Sequence, residues 1–367
     1  KSLLMLRERE PLSGVSRAVL SFLTTLLIIL TVPSMFVIPA EAILFRPYSY
    51  QRALENQRFA ERFPTLLAGA IINEDIPALE GNPQIAYFDR GQLAALLEGI
   101  FPRDWTTRQT DGILQGADDY VNFQRSDLVL QVDMREVKSR LNGPEGAAIA
   151  REVVDTWPEC SGEQVGQIME LALSGELSGI PVCRPPDTLR PAFEQAVILS
   201  LQLMANTLPD VVDLGSPLTN ETVLPGVSGP LVPNWYGVFR AYAILRWLFR
   251  LLPVIALAVL LWIVLLTIRS LPDLFHAAGS PLLTAGLVGL GIGVVLLLVV
   301  NPLLARLIGN AFPLLPEAFR GVLSGVVQEV TSRQIIWSMF AALAVAGGGL
   351  TLLIGSRITD DEPAVPV

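Results

Sequence analysis

The sequence predicts an integral membrane protein, mainly α, with four transmembrane helices. A large α-rich domain with one or two strands is expected between the first and second helices, outside the cytoplasm. Three observations carry that expectation. The 367-residue chain is 51% apolar and only 17% charged, whereas about a quarter of the residues of a soluble protein are charged. Residues 41–235 hold 27 acidic and 14 basic side chains, and the other 172 positions hold only 20 charges. Four long apolar runs lie outside the charged stretch, which is therefore a water-soluble domain spliced into a membrane protein.

Residues 1–17, with Lys1, Arg7, Arg9 and Arg17, read as a short cytoplasmic segment. The first run, 18–40, is uncharged over about 23 residues, enough to cross a hydrocarbon core of about 30 Å. Ala40-Glu41-Ala42 resembles a signal-peptide cleavage site. The run nevertheless exceeds the about 7 to 15 apolar residues of a signal peptide, so an uncleaved signal anchor is expected.

The domain, 41–208, reads as mostly helical. One or two helices are expected from Pro47 to about Asp75, broken near Pro64. Two more run from Arg90 to Phe101 and from Pro102 to Gln124, with Pro102 suited to a first turn. Ser126 to Met134 alternates Leu128, Leu130 and Val132 with polar neighbours, so it is a strand. It needs a partner, from Gln84 to Phe88 or from a neighbouring subunit. Further helices are expected from Pro144 to Trp157, from Ser161 to Leu173, and from Asp187, read as an N-cap, to Leu208. Ser161 and Gln164 fit a capping box. Residues 209–235, with five prolines and no periodicity, read as an extended tether.

Residues 236–268 combine an interfacial stretch, where aromatics alternate with Arg240, Arg246 and Arg250, with a second span. The third span, 282–304, places Ala285, Gly289 and Gly293 at four-residue spacing, a face that lets helix backbones approach. Whether it packs within the chain or between copies is open. Asn301-Pro302 in that span is a kink or the lining of a pore. Residues 316–333 have helical apolar periodicity with polar residues on the other faces. They read as an amphipathic helix lying on the bilayer or beneath the domain, or as the start of the fourth span. The fourth span, 335–355, is again dense in small residues, with Ala342 and Ala346 on its packing face. Residues 356–367 form a cytoplasmic tail.

The net charge of −9 divides into −13 for residues 41–235 and +4 for the rest. So acidic a domain repels phosphate backbones, so nucleic acid is not an expected partner. With 24 arginines against two lysines, the composition fits a GC-rich bacterial genome. Cys160 and Cys183, an even pair in an exported domain, suggest a disulfide, the alternative being two buried thiols. Closing a loop of about 24 residues would stabilise the domain by about 3 kcal/mol. A single histidine, His276, excludes His-His metal sites, Ser-His triads and histidine relays built within the chain. It is read as an interfacial residue in the loop after the second span.

The densest carboxylates, Glu74-Asp75, Asp118-Asp119, Asp127 and Asp133, have no EF-hand spacing and read as solvated faces. No P-loop, dinucleotide fingerprint or nucleophile elbow occurs, and neither a cofactor nor enzymatic activity is expected.

Orientation rests on conflicting signals. Short flanks on the domain's side carry more arginine than those on the other side, which by the positive-inside rule points the domain inward. The signal anchor and the cysteine pair point it outward, and the expectation is both termini inside, the domain outside, at the plasma membrane. Arg240, Arg246, Arg250, Arg306, Arg320 and Arg333 would then lie near one membrane surface, tying domain to membrane, gripping lipid headgroups or docking a partner. With no acid or lysine counted inside the spans, active transport is disfavoured. The function expected is a non-enzymatic accessory, assembly or scaffold component that meets the bilayer and copies of itself or other membrane subunits. The alternatives are an oligomeric channel lined through Asn301 and a ligand sensor.

Overall fold

The structure is a computed structural model that describes residues 14–73, 88–122, 124–125, 127–174, 181–214, 236–267, 271–311 and 316–360. It is mostly helical, and four helices are long and apolar enough to cross a membrane. The chain divides into two compact units: residues 1–46, 236–304 and 328–367, and residues 47–235 and 305–327.

In the first unit, helix α1 (Gly14–Ile43) runs through Pro33 and Pro39. Leu27 on α1 packs with Ala256 and Ile263 of α10 (Tyr236–Thr267), and Met35 packs with Ala285 and Ala342. Helix α11 (Leu271–Val295) passes through a π-helical turn, Leu296–Val300, into α12 (Asn301–Ala311). Pro302 accounts for the turn: its ring collides with the carbonyl four residues back and it has no N–H to donate, and widening the helix relieves both. His276 therefore lies within α11 and not in a loop, because Leu271 onward is already helical.

The last helix, α13, runs without interruption from Glu317 to Asp360. The amphipathic stretch 316–333 is thus no separate surface helix, since no glycine-proline break divides it from the fourth span. Residues up to Val327 belong to the second unit.

The second unit starts with α2 (Pro47–Asn56) and α3 (Phe59–Ile72). The break falls at Arg58, whose φ of 50° ends α2. It does not fall at Pro64, which is buried inside α3, where the missing N–H costs a single helical bond. Then come α4 (Arg90–Ile100), whose N-cap Asp89 forms a capping box with Gln92, and α5 (Arg103–Val121), for which Pro102 is the N-cap. Phe63 packs edge-on against Phe59, Phe101 and Phe319, so the first turn of α13 belongs to this aromatic core.

The strand expected over Ser126 to Met134 shrinks to β1 (Gln131–Asp133). Its partner is β2 (Val211–Asp213), antiparallel with Val132 opposite Val212. The start of the expected tether is therefore part of the folded domain. On the other edge of β1, the Asp133 carbonyl accepts from Trp105 Nε1 at 3.0 Å and the Asp133 N–H donates to Gln109 Oε1 at 2.8 Å. Side chains of α5 thus occupy backbone groups that a third strand would need.

Helix α6 (Arg135–Asn142) follows, which periodicity did not announce, and then α7 (Pro144–Thr156), α8 (Gly162–Ser174) and α9 (Arg190–Thr207). The expected N-cap Asp187 is displaced by Leu189, because the N–H groups of Leu189 and Arg190 both turn back to the Pro186 carbonyl. At the start of α8 the Ser161 N–H donates to Gln164 Oε1 and the Gln164 N–H donates to Ser161 Oγ, as the capping box requires. Cys160 and Cys183 form a disulfide. Cys183 is fully buried in a core with Val154, Trp157, Ile168 and Phe193, and Trp105, Val137, Leu141 and Ala205 form a second core.

Several expectations lie outside the described residues: the segment before Gly14, Glu74-Asp75, the strand candidate at Gln84, the tether beyond Leu214, and the tail beyond Asp360.

Candidate functional site

The chemistry-bearing groups of the first unit gather in two places. The first lies where α1 ends and α10 carries its arginines one turn apart, so that Arg246 and Arg250 share a face. Both converge on Glu41, in the last turn of α1. Arg246 donates through Nε to Glu41 Oε1 and through Nη2 to Oε2 at 2.7 Å, and Arg250 Nη2 donates to Oε2 at 2.8 Å. The Arg246 guanidinium also lies 4.4 Å from the centre of the Phe45 ring, a cation–π contact. Arg246 and Glu41 are 13% and 18% exposed, whereas Arg250 is 47% exposed. Glu41, expected to open the soluble domain, belongs to the first helix instead, so one of the four long apolar helices does carry an acid near its end.

The second place lies between α12 and α13. Asn301 is buried, donates from Nδ2 to Ser332 Oγ at 2.6 Å and accepts from Thr331 Oγ1. About one and two turns beyond Thr331 on α13, Gln334 and Ser338 are also buried. Gln334 Nε2 reaches Ser338 Oγ at 3.2 Å and the Phe36 carbonyl of α1 at 3.3 Å. These bonds tie the first, third and fourth apolar helices together through groups that hydrocarbon cannot solvate.

Both small-residue faces are consumed inside the chain. Ala285 and Ala342 are fully buried and share a cluster with Met35. A Cβ added at Gly289 would meet Met35 Sδ at 2.9 Å and Ala342 Cβ at 3.2 Å, and one at Gly293 would meet Met339 Cγ at 2.5 Å. A Cβ at Gly286 would lie 2.5 Å from the backbone nitrogen of Ala346.

Of the six arginines expected in one collar, the structure brings together Arg246 and Arg250. Arg240 lies on α10, its side chain outside the described residues, and Arg333 is half-buried on α13. Arg306 and Arg320 belong to the second unit, where Arg306 is exposed and Arg320 Nε is buried with no hydrogen bond among the described residues. Sequence reading missed Glu41, Phe45, Thr331, Ser332, Gln334 and Ser338. A signal for three of them was present: Thr331, Gln334 and Ser338 recur at helical spacing as a polar stripe.

In the second unit, several carboxylates are paired with bases, whereas Asp118 accepts from Asn122 Nδ2 at 2.7 Å. Asp133 accepts from Arg135 Nε at 3.0 Å and from the Arg135 backbone at 2.9 Å. These hydrogen bonds from Arg135 lower its pKa to about 2. Glu194, through its hydrogen bond, and Asp155, through its charge, hold the pKa of Arg190 above the usual arginine value. Asp119 pairs with Arg125 at 3.4 Å. Among the described residues no three His, Cys, Asp or Glu side chains gather as a metal would need. A cleft of about 300 Å³ is lined by Glu55, Arg58, Glu61, Arg103 and Asp111 among others, with Arg103 and Glu61 paired at 2.7 Å. On α9, Leu199, Leu203 and Met204 are exposed although Phe193 and Ala205 are buried. This helix is therefore apolar on two faces.

No known protein family, curated protein or solved structure matches this chain.

Proposed function

We propose that the chain is a non-enzymatic multi-pass membrane protein that serves as an accessory, assembly or scaffold component. Its four apolar helices anchor it in the plasma membrane with both termini inside. Its disulfide-bonded domain lies outside, where an oxidising compartment preserves such a bond, and meets copies of the chain or other membrane subunits. The observation that carries this reading is where the polar groups of the helices are spent. Glu41 is used on two arginines, Asn301 on Ser332 and Thr331, and Gln334 on Ser338 and the Phe36 carbonyl. Groups that hold helices to one another are not offered to a travelling ion or solute. The pore reading loses the residue on which it rested, since the Asn301 amide is enclosed against α13.

The domain then supplies the contact, and the exposed apolar row Leu199, Leu203 and Met204 is the face this reading assigns to it. Light scattering after mild-detergent extraction is expected to show a mass above one chain, falling toward one chain in Leu203→Glu. A wild-type monomer with no co-purifying chain overturns the reading. A reporter active only in the cytoplasm, fused after Val367, tests the orientation separately: it should be active, and silence reverses it.

A further inference from the structure

We propose that Arg250, with Arg246 and Trp247 beside it, binds the headgroup of an anionic phospholipid; the proposal rests on the reading that α10 spans a bilayer. Charge is the starting point. Among the described residues one Glu41 carboxylate serves two guanidiniums, so Arg250 shares its acid with Arg246. Arg246 presents little of its charge to the surroundings, being 13% exposed and stacked on Phe45. Arg250 presents more. It gives Nη2 to Glu41, makes no other hydrogen bond among the described residues, and its side chain is 47% exposed.

Position supplies the next step. The Arg250 guanidinium lies 5.9 Å from the centre of the exposed Trp247 ring. Both stand at the head of an exposed apolar stripe along α10 formed by Leu251, Val254, Leu257, Leu261 and Leu265. From Arg250 to Thr267 the helix rises about 26 Å, close to the roughly 30 Å of a hydrocarbon core. With the stripe among acyl chains, Arg250 reaches the level of lipid phosphates and Trp247 lies in the interfacial layer that indole rings favour. Glu41 fixes the guanidinium in advance, so its exposed part meets a phosphodiester without first being ordered. A headgroup of net charge −1 complements the half-exposed Arg250 guanidinium, whereas a zwitterionic choline headgroup brings a cation of its own.

The test is native mass spectrometry of the full chain released from detergent, titrated with phosphatidylglycerol or phosphatidylcholine. Wild type should retain phosphatidylglycerol about five-fold more than phosphatidylcholine, the scale of one arginine at a charged membrane surface. Arg250→Gln should abolish the preference, and Arg357→Gln, at the exposed end of α13, should keep it. Equal retention of the two lipids by wild type, or an unchanged preference in Arg250→Gln, overturns the proposal. Displacement of phosphatidylglycerol by millimolar inorganic phosphate also overturns it by assigning the cluster to a free anion. Alkaline extraction reads the membrane assignment independently: a chain that resists extraction yet shows no lipid preference sinks the lipid site alone.

Discussion

The buried amide of Asn301 donates to the hydroxyl of Ser332 across 2.6 Å and accepts from Thr331, joining the third apolar helix to the fourth directly beside the π-helical turn at Leu296–Val300. A polar bond between membrane helices contributes about 0.6 to 1.7 kcal/mol, because the separated helices find other partners. Asn301→Leu should therefore lower the unfolding free energy by about 1 kcal/mol. A double-mutant cycle with Ser332→Ala, read by denaturant titration in detergent, should return a coupling of about the same size.

Glycine positions in α11 give opposite expectations within one helix. A Cβ at Gly286 meets the Ala346 backbone nitrogen at 2.5 Å and its Cβ at 2.6 Å, whereas one at Gly291 meets nothing within 4 Å. Backbone cannot rotate aside as a side chain can, so Gly286→Ala forces α11 and α13 apart and should cost about 1 to 3 kcal/mol. Gly291→Ala should be neutral or slightly stabilising, through helix propensity alone. Thermal unfolding midpoints of the two variants in one detergent separate these outcomes.

Hydropathy belongs to each segment by itself, so the four apolar helices were legible without a partner. The spacing of Ala285, Gly289 and Gly293 announced a close approach but not whose backbone would fill it. Glu41 was hidden by its Ala-Glu-Ala context, and its partner Arg246 is 205 positions away. Short elements were lost for a different reason. Helix α6 buries only Val137 and Leu141 on its apolar face, and β2 has three residues, too few for a period to show. The end of the strand expected before Met134 was legible, but its true partner lay in a segment that composition had marked as a tether.

Asp133 makes an acid-dependent contribution whose sign follows from its lowered pKa. Its ordinary value is 3.8 and its value in the folded domain is about 2. The carboxylate thus favours the folded state at pH above 3.8, and that contribution fades as pH falls from there through about 2. Because the pair with Arg135 is exposed, the contribution at neutral pH should be below about 1 kcal/mol. Asp133→Asn should therefore change the neutral unfolding midpoint little and flatten the acid limb between those pH values.

The disulfide should be worth more. Cys160 and Cys183 close a loop with a sequence separation of 23, for which the chain-entropy relation gives about 3 kcal/mol. Cys183 is also fully buried against Trp157 and Phe193, so a serine there adds an unpaired hydroxyl to an apolar core. Cys160→Ser should lower stability by about the loop term, Cys183→Ser by more, and reductant should destabilise wild type but neither variant. Equal midpoints for wild type with and without reductant would remove the bond from the stabilising interactions of the domain.

The pair Glu41–Arg246 should behave as a mostly enclosed ion pair, in which losing one partner costs more than losing both. Removing the carboxylate alone leaves two guanidiniums on one helix face, and Arg246, at 13% exposed and stacked on Phe45, cannot swing into water as Arg250 can. Single-partner loss from a buried pair costs about 3 to 5 kcal/mol, and partial exposure brings the expectation for Glu41→Leu to about 2. Arg246→Met alone leaves Glu41 with its hydrogen bond from Arg250, so its cost should be smaller. The double variant Glu41→Leu with Arg246→Met replaces the buried pair by apolar surface and leaves Arg250 free to reach the interface. It should recover at least half of what Glu41→Leu lost. Urea or detergent unfolding of the three variants checks this order, and a double variant less stable than Glu41→Leu would show that the pair contributes through packing and not through charge.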